Sequence, residues 1–302
     1  MKFTKLTKKL LLSALSLGLA VVTLTTTTFA WYTSSTEAGA VGQGETSGTT
    51  QDSTLEITTA YDGNINNSTW TKNVTVAPSG LMTPVAWNGT SFVDVDNTAA
   101  TDYYQFKLWF KTTKTTYDTD IAVYLKNMVI TNTTEGEKLP EYNNLLSNMQ
   151  DRPNTVPAGS TYAIDAVRAL DMVVDSNVGK VAYELSNLFT YATSKEKGYA
   201  STLDASAYYQ LVMGSSPNAA ASGSLTPLTH DSNELTVTST GQYVQIGNLI
   251  NKAETTSYDV LEVTFTIFLN GWDNYCFDAC KGQSFSVSLD FTTAGKNISQ
   301  GE

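Results

Sequence analysis

Arginine is nearly missing from this chain: Arg152 and Arg168 are the only two among 302 residues. Histidine occurs once, at His230, and cysteine twice, at Cys276 and Cys280. Each scarcity removes a class of chemistry. One histidine cannot supply a His-Glu-x-x-His zinc site. A Ser/His/Asp triad would have to use His230, which stands beside Asp231 in a polar stretch, and no Gly-x-Ser-x-Gly elbow accompanies it. The glycine-rich motif of a phosphate-binding loop is missing too. Long amphipathic runs of Leu, Glu and Lys are also lacking, which argues against a helical bundle. No catalytic centre is expected.

What is present points outward from the cell. Lys2, Lys5, Lys8 and Lys9 form a basic start, and Leu10 to Leu24 is a mostly apolar run of about 15 residues. Thr28-Phe29-Ala30 then ends on a small residue, as signal peptidases need. The apolar run falls short of the roughly 20 residues that span a bilayer. Cleavage and export are therefore expected, with no stable membrane insertion afterwards. Removing residues 1–30 takes away four of the 18 basic residues and no acid, leaving 14 against 29 and a net charge of −15. Such a chain repels nucleic acid and anionic lipid. The C-terminal "AGKNISQGE" carries neither a sortase signal nor an apolar tail, so retention at a surface would come from polymerisation or binding.

Thr, Ser, Asn and Tyr are abundant, a composition suited to pleated sheets with a hydroxyl-rich solvent face. Two segments alternate over a long stretch. In "LEVTFTIFL", Leu261, Val263, Phe265, Ile267 and Leu269 share one face, against Glu262, Thr264 and Thr266. In "SFSVSLDFT", Phe285, Val287, Leu289 and Phe291 oppose Ser284, Ser286, Ser288 and Asp290. A period of two held this long marks strands buried on one side. "YYQFKLWFK" alternates likewise, with Tyr104, Phe106, Leu108 and Phe110 facing in and Gln105, Lys107 and Lys111 facing out. Followed by Ile121, Val123 and Leu125, it reads as a hairpin with a long loop. Residues 161–175 fit a helix or a strand; the turn "DSNVG" and the return "KVAYEL" favour a hairpin. A short helix is expected near 140–150, and a surface insertion at about 186–233, where Tyr191, Tyr199, Tyr208 and Tyr209 would serve a surface binding module for glycans or proteins.

The candidate sites are few. Cys276 and Cys280 lie four apart, and one helical turn would bring their Cα atoms to roughly 6 Å. A disulfide closing a small loop is expected, with free thiols or a bond to another chain as alternatives. Asp62-Gly63-Asn64-Ile65-Asn66 begins like a calcium loop, but its glycine is misplaced and Asn73 stands where the twelfth-position Glu belongs. The pairs Asp94/Asp96, Asp118/Asp120 and Asp273/Asp278 are of a kind that mostly forms turns. No cofactor is expected, calcium being the one candidate.

The leader "LLLSALSLGLAVVTLTTTTFAWYTSST" followed by "STLEI", the strand "YYQFKLWFKT" and the segment "FTIFLNGWDNYCFDA" resemble the TasA/camelysin family of secreted Gram-positive proteins. Phe268 and Asn270 stand where related exported proteins carry Trp and Glu, and the glycine-rich stretch at 37–53 and the long insertion depart from the family pattern. The resemblance implies a jelly-roll β-sandwich; joined to the alternating strands, the insertion and the short helix read above, the expected fold is an all-β, antiparallel jelly-roll-like β-sandwich with long loop insertions and one or two short helices. It also implies a structural role in a biofilm matrix, with self-assembly into fibres. Its members are often labelled metalloproteases, a label that no motif here carries. In fibres of this type an N-terminal segment completes the sheet of the next subunit, which makes Trp31, Tyr32 and Thr33 the expected assembly segment and 37–53 its spacer. The partners expected are other copies of the chain, then matrix or host surface components. The expected organisation is a signal peptide at 1–30, an N-terminal segment and flexible linker at 31–53, a sandwich domain at 54–295 and a tail at 296–302.

Overall fold

A computed structural model of the chain describes residues 46–50, 54–76, 82–94, 98–114, 119–132, 141–143, 161–163, 166–185, 225–231, 236–239, 242–252, 257–273, 276 and 285–293. Among them the strands are, in chain order, β1 (Thr46–Thr50), β2 (Leu55–Thr58), β3 (Asn73–Val76), β4 (Pro84–Trp87), β5 (Phe92–Val93), β6 (Tyr104–Thr112), β7 (Ile121–Asn132), β8 (Glu141–Asn143), β9 (Thr161–Ala163) and β10 (Leu170–Ser176). They continue as β11 (Gly179–Glu184), β12 (Thr226–Pro227), β13 (Thr229–Asp231), β14 (Thr236–Ser239), β15 (Gln242–Leu249), β16 (Asn251–Lys252), β17 (Ser257–Tyr258), β18 (Leu261–Asn270) and β19 (Phe285–Thr292). The described part of the protein is all-β apart from a 3-10 turn at Ala166–Ala169.

Two sheets hold nearly all of these strands. The first has the order β13-β14-β15-β7-β19-β1-β3. The second runs β12-β11-β10-β18-β6-β2, with the β4–β5 hairpin attached at the C-terminal end of β18. Their inner faces share one core. Leu261, Val263, Phe265, Ile267 and Leu269 of β18 join Phe285, Val287, Leu289 and Phe291 of β19 in a single buried cluster. Phe110 meets Phe291 edge-on across the sheets at 4.9 Å between ring centroids, and Phe265 lies 6.0 Å from Phe291. Each fully buried side chain of this kind is worth about 1.5–3 kcal/mol.

The alternation therefore identifies buried faces correctly, but it does not identify partners. The expected hairpin of β6 with β7 does not form. β6 pairs with β18 and β2, whereas β7 pairs with β15 and β19 in the other sheet. The long connection lets the chain cross the core, so the two apolar faces meet across the core instead of side by side. β7 also changes phase. Val123 and Leu125 point inward, then Met128 and Ile130 do, because the register slips by one residue against β19 between Asp290 and Phe291.

The expected β10–β11 hairpin is present, from Asp171↔Glu184 to Ser176↔Gly179, with Leu170 and Met172 buried. Three other expectations need correction. Glu141–Asn143 is a strand paired with β9 rather than part of a short helix. The end of the 186–233 insertion is not a surface loop, since β12 adds to β11 in parallel and Leu228 is fully buried; residues 186–224 lie outside the described residues. The sheets are not purely antiparallel either: β1 on β19, β4 on β18 and β12 on β11 are parallel pairs. Parallel partners cannot be joined by a tight turn, and β1 and β19, like β4 and β18, are far apart in the chain.

Candidate functional site

The segment nearest the predicted leader forms the first place of interest. Thr46–Thr50, expected to lie within a flexible spacer, is a strand seated between β19 and β3. It runs parallel to β19, from Thr46↔Val287 to Thr50↔Phe291, and antiparallel to β3, from Thr46↔Val76 to Thr49↔Asn73. β19 contributes Phe285, Val287, Leu289 and Phe291 to the core, and β1 closes its outer edge. The sequence of β1 is Thr-Ser-Gly-Thr-Thr, with no large apolar residue. Main-chain pairing is what this strand has to offer, and a net hydrogen bond is worth only about 0.5–1.5 kcal/mol.

Trp31, Tyr32 and Thr33 lie outside the described residues, as do Cys280, Tyr191, Tyr199, Tyr208 and Tyr209. Cys276 is buried, and its backbone N–H donates to the carbonyl of Asp273 at 3.0 Å. His230 sits on β13, opposite Val237 in the register with β14. The Asp62 loop spends its oxygens on its own turn. Asp62 Oδ1 accepts from the Asn64 N–H at 2.9 Å, Asp62 Oδ2 from Asn67 Nδ2 at 3.2 Å, and Asn64 Oδ1 from the Asn66 N–H at 2.9 Å. The Asn64 N–H, and then Asn67, hold the Asp62 carboxyl below its ordinary range. Of the other acidic pairs, Asp94 Oδ1 accepts from the Thr98 N–H and Asp120 Oδ1 from the Asn251 N–H, while Asp96, Asp118 and Asp278 lie outside the described residues. Among the described residues no group of three or more His, Cys, Asp or Glu is placed to hold a metal ion.

The structure also brings together residues that the sequence did not single out. Asp171 is buried at 2 % exposure on the face of β10 that points away from the core. Asn270 Nδ2 donates to Asp171 Oδ2 at 2.7 Å, and Asn270 Oδ1 accepts from the Trp272 N–H at 3.0 Å. The Gly271 N–H donates to the Val85 carbonyl at 2.8 Å, which ties the turn to β4. Burial first, and then the negative charge of Asp273, push the Asp171 carboxyl well above its ordinary range; the Asn270 bond works the other way. A neutral carboxyl can hold the "LNGWD" turn in place without a counter-ion. Asp171 was hidden because an aspartate on the outward phase of a strand ordinarily meets water. Here a hairpin covers it.

Comparison of the chain with family models, with curated proteins and with solved structures gives no match.

Proposed function

We propose that this chain is a secreted fibre subunit of the extracellular matrix or cell surface, a jelly-roll-like sandwich that assembles when the N-terminal segment of one copy pairs with the β19 edge of the next. The observation that carries this reading is the weakness of what occupies that edge. A five-residue strand of Thr, Ser and Gly fills the place between the apolar strand β19 and the four-residue outer strand β3. A competing segment with large side chains adds pocket filling to the same main-chain bonds. Trp31, Tyr32 and Thr33 are such a segment. Residues 34–45 separate them from β1 and span at most roughly 40 Å at full extension, enough to reach a neighbour. A head-to-tail contact of this kind does not close on itself, so it propagates. With 14 basic against 29 acidic residues from Trp31 onward, a net charge of −15, copies repel at neutral pH, and assembly is favoured by acid or by salt.

The test locks β1 in place. Thr49 and Asp290 are register partners, and neighbouring strands lie about 4.8 Å apart, within disulfide reach. A chain beginning at Trp31 should form filaments in negative-stain micrographs. A chain beginning at Ser34 should remain monomeric. The Thr49→Cys/Asp290→Cys chain should stay monomeric when oxidised and polymerise when reduced. Filaments from the oxidised double variant at the parental rate would refute strand exchange at this edge.

A further inference from the structure

The second sheet carries an aromatic surface that the fibre reading leaves unused. On β6, Gln105, Lys107, Trp109 and Lys111 point away from the core. Trp109 occupies a phase where its neighbours are polar, and it is only partly buried. Beside it stand Tyr61 and Trp70, from the segment between β2 and β3, also partly buried. The Tyr61 ring lies 5.9 Å from Trp70 at 57° and 6.5 Å from Trp109 at 50°. These rings are tilted against one another and do not stack face to face.

Both indoles are pinned. Trp109 Nε1 donates to Glu262 Oε2 at 3.0 Å, and Trp70 Nε1 donates to the Ile65 carbonyl at 2.9 Å. The Lys111 ammonium sits 4.9 Å over the Trp70 ring while pairing with Glu56 at 3.0 Å. Lys107 pairs with Glu262 at 2.6 Å, and Gln105 Nε2 donates to Thr266 Oγ1 at 2.9 Å. Fixed aromatic side chains lower the entropic cost of binding. Donors and acceptors of both kinds surround them.

We propose that this face binds a neutral polysaccharide. Its C–H surfaces would lie against Trp109 and Tyr61, and its hydroxyls would reach Gln105, Lys107 and Glu262. Charge selects the ligand class. Within the patch Lys107 is balanced by Glu262 and Lys111 by Glu56, while the chain from Trp31 onward, with 14 basic against 29 acidic residues, is at −15. A polyanion meets overall repulsion, and the two acids that face β6, Glu262 and Glu56, are each already paired with a lysine. An uncharged polyhydroxyl chain is suited to rigid rings ringed by paired charges. This site is independent of the β19 edge and of fibre assembly.

The experiment is a titration of the chain beginning at Trp31, labelled with 15N, followed through its indole N–H signals. The probes are the neutral hexasaccharides of β-1,4-glucose, β-1,4-xylose, β-1,4-mannose and β-1,3-glucose, with hexagalacturonate as the acidic arm. The Trp70 and Trp109 signals should shift and saturate with at least one neutral probe, while those of buried Trp87 and Trp272 stay in place. Affinity should be insensitive to salt and fall about tenfold or more in Trp109→Ala and in Tyr61→Ala, with melting temperature unchanged. The proposal fails if no neutral probe moves those two signals at about 10 mM, if both variants bind like the parent, or if only hexagalacturonate binds and salt abolishes it.

Discussion

Along β18, five residues point away from the core, and they meet two different environments. At one end Glu262 is exposed and Thr264 partly so; at the other, Phe268 is fully buried and Asn270 is 5 % exposed. The difference is the β4–β5 hairpin. Trp87 and Phe92 from that hairpin form a second small core with Val173, Ala182 and Phe268, and Phe92 meets Phe268 edge-on at 5.1 Å. At the open end the same sheet face presents Trp109 and a ladder of ion pairs instead. Strand parity thus decides which way a side chain points. Whether it meets water is decided by a separate piece of chain, docked by two residues of parallel pairing.

The largest test of this contrast compares two outward side chains of one strand. Phe268→Ala should cost about 3–5 kcal/mol, the cost of a cavity in a packed cluster. Thr264→Ala, four residues earlier on the same face, should change stability by no more than about 0.5 kcal/mol. Denaturant midpoints at constant m-value measure both. Equal costs would mean that the hairpin does not seal its half of the face.

The next test uses the opposite titrations of the two halves. Asp171, under the hairpin, has a folded pKa raised above its ordinary 3.8 by burial and by Asp273. The folded chain therefore holds this proton more tightly than the unfolded chain. The contribution is fully present below pH 3.8 and is lost as pH rises through the folded value. Asp171→Asn keeps one acceptor and one donor but cannot ionise. Its stability should equal or trail the parent at pH 3.5, exceed it at pH 8, and lack the parent's decline between them. Unfolding curves at intervals from pH 3.5 to 9 give the slope; parallel profiles would show that folding does not raise the pKa of Asp171.

The same contrast explains what could be read in advance. The periods of Leu261–Leu269 and Phe285–Phe291 were legible because a strand buried on one side must alternate. The pairing of β6 was not, since its alternation is equally compatible with a neighbour beside it and with one across the core. β1 was illegible for a different reason. Thr-Ser-Gly-Thr-Thr has no apolar rhythm, and its strand state comes from the edges it sits between rather than from its side chains. Phe268 and Trp109 did leave a signal: each is an aromatic on the polar phase of an otherwise regular strand. One marks a covering hairpin and the other an exposed ring, and only the fold separates them. The leader at Trp31–Thr33 and the Cys276–Cys280 pair remain expectations from sequence.

The smallest expected effect lies at the open end. Lys107 and Trp109 both donate to Glu262, and the Lys107 hydrogen bond leads in holding its carboxyl below the ordinary 4.5. This contribution is present above pH 4.5 and is lost as pH falls through the folded value, the reverse of Asp171. Both partners of the pair are about half exposed, at 47 % and 48 %, so water and salt screen it and the pair is worth about 0.2–1 kcal/mol. Glu262→Gln retains an oxygen for the Trp109 N–H and removes only the charge. The variant should lose that small amount at pH 7 in dilute buffer, and nothing at pH 3. In 1 M salt, where the Debye length is about 3 Å, the loss should shrink. A loss that stayed constant in salt would locate the stabilisation in the hydrogen-bond geometry around Trp109 and not in the ion pair. The open half would then be held, like the covered half, by fit.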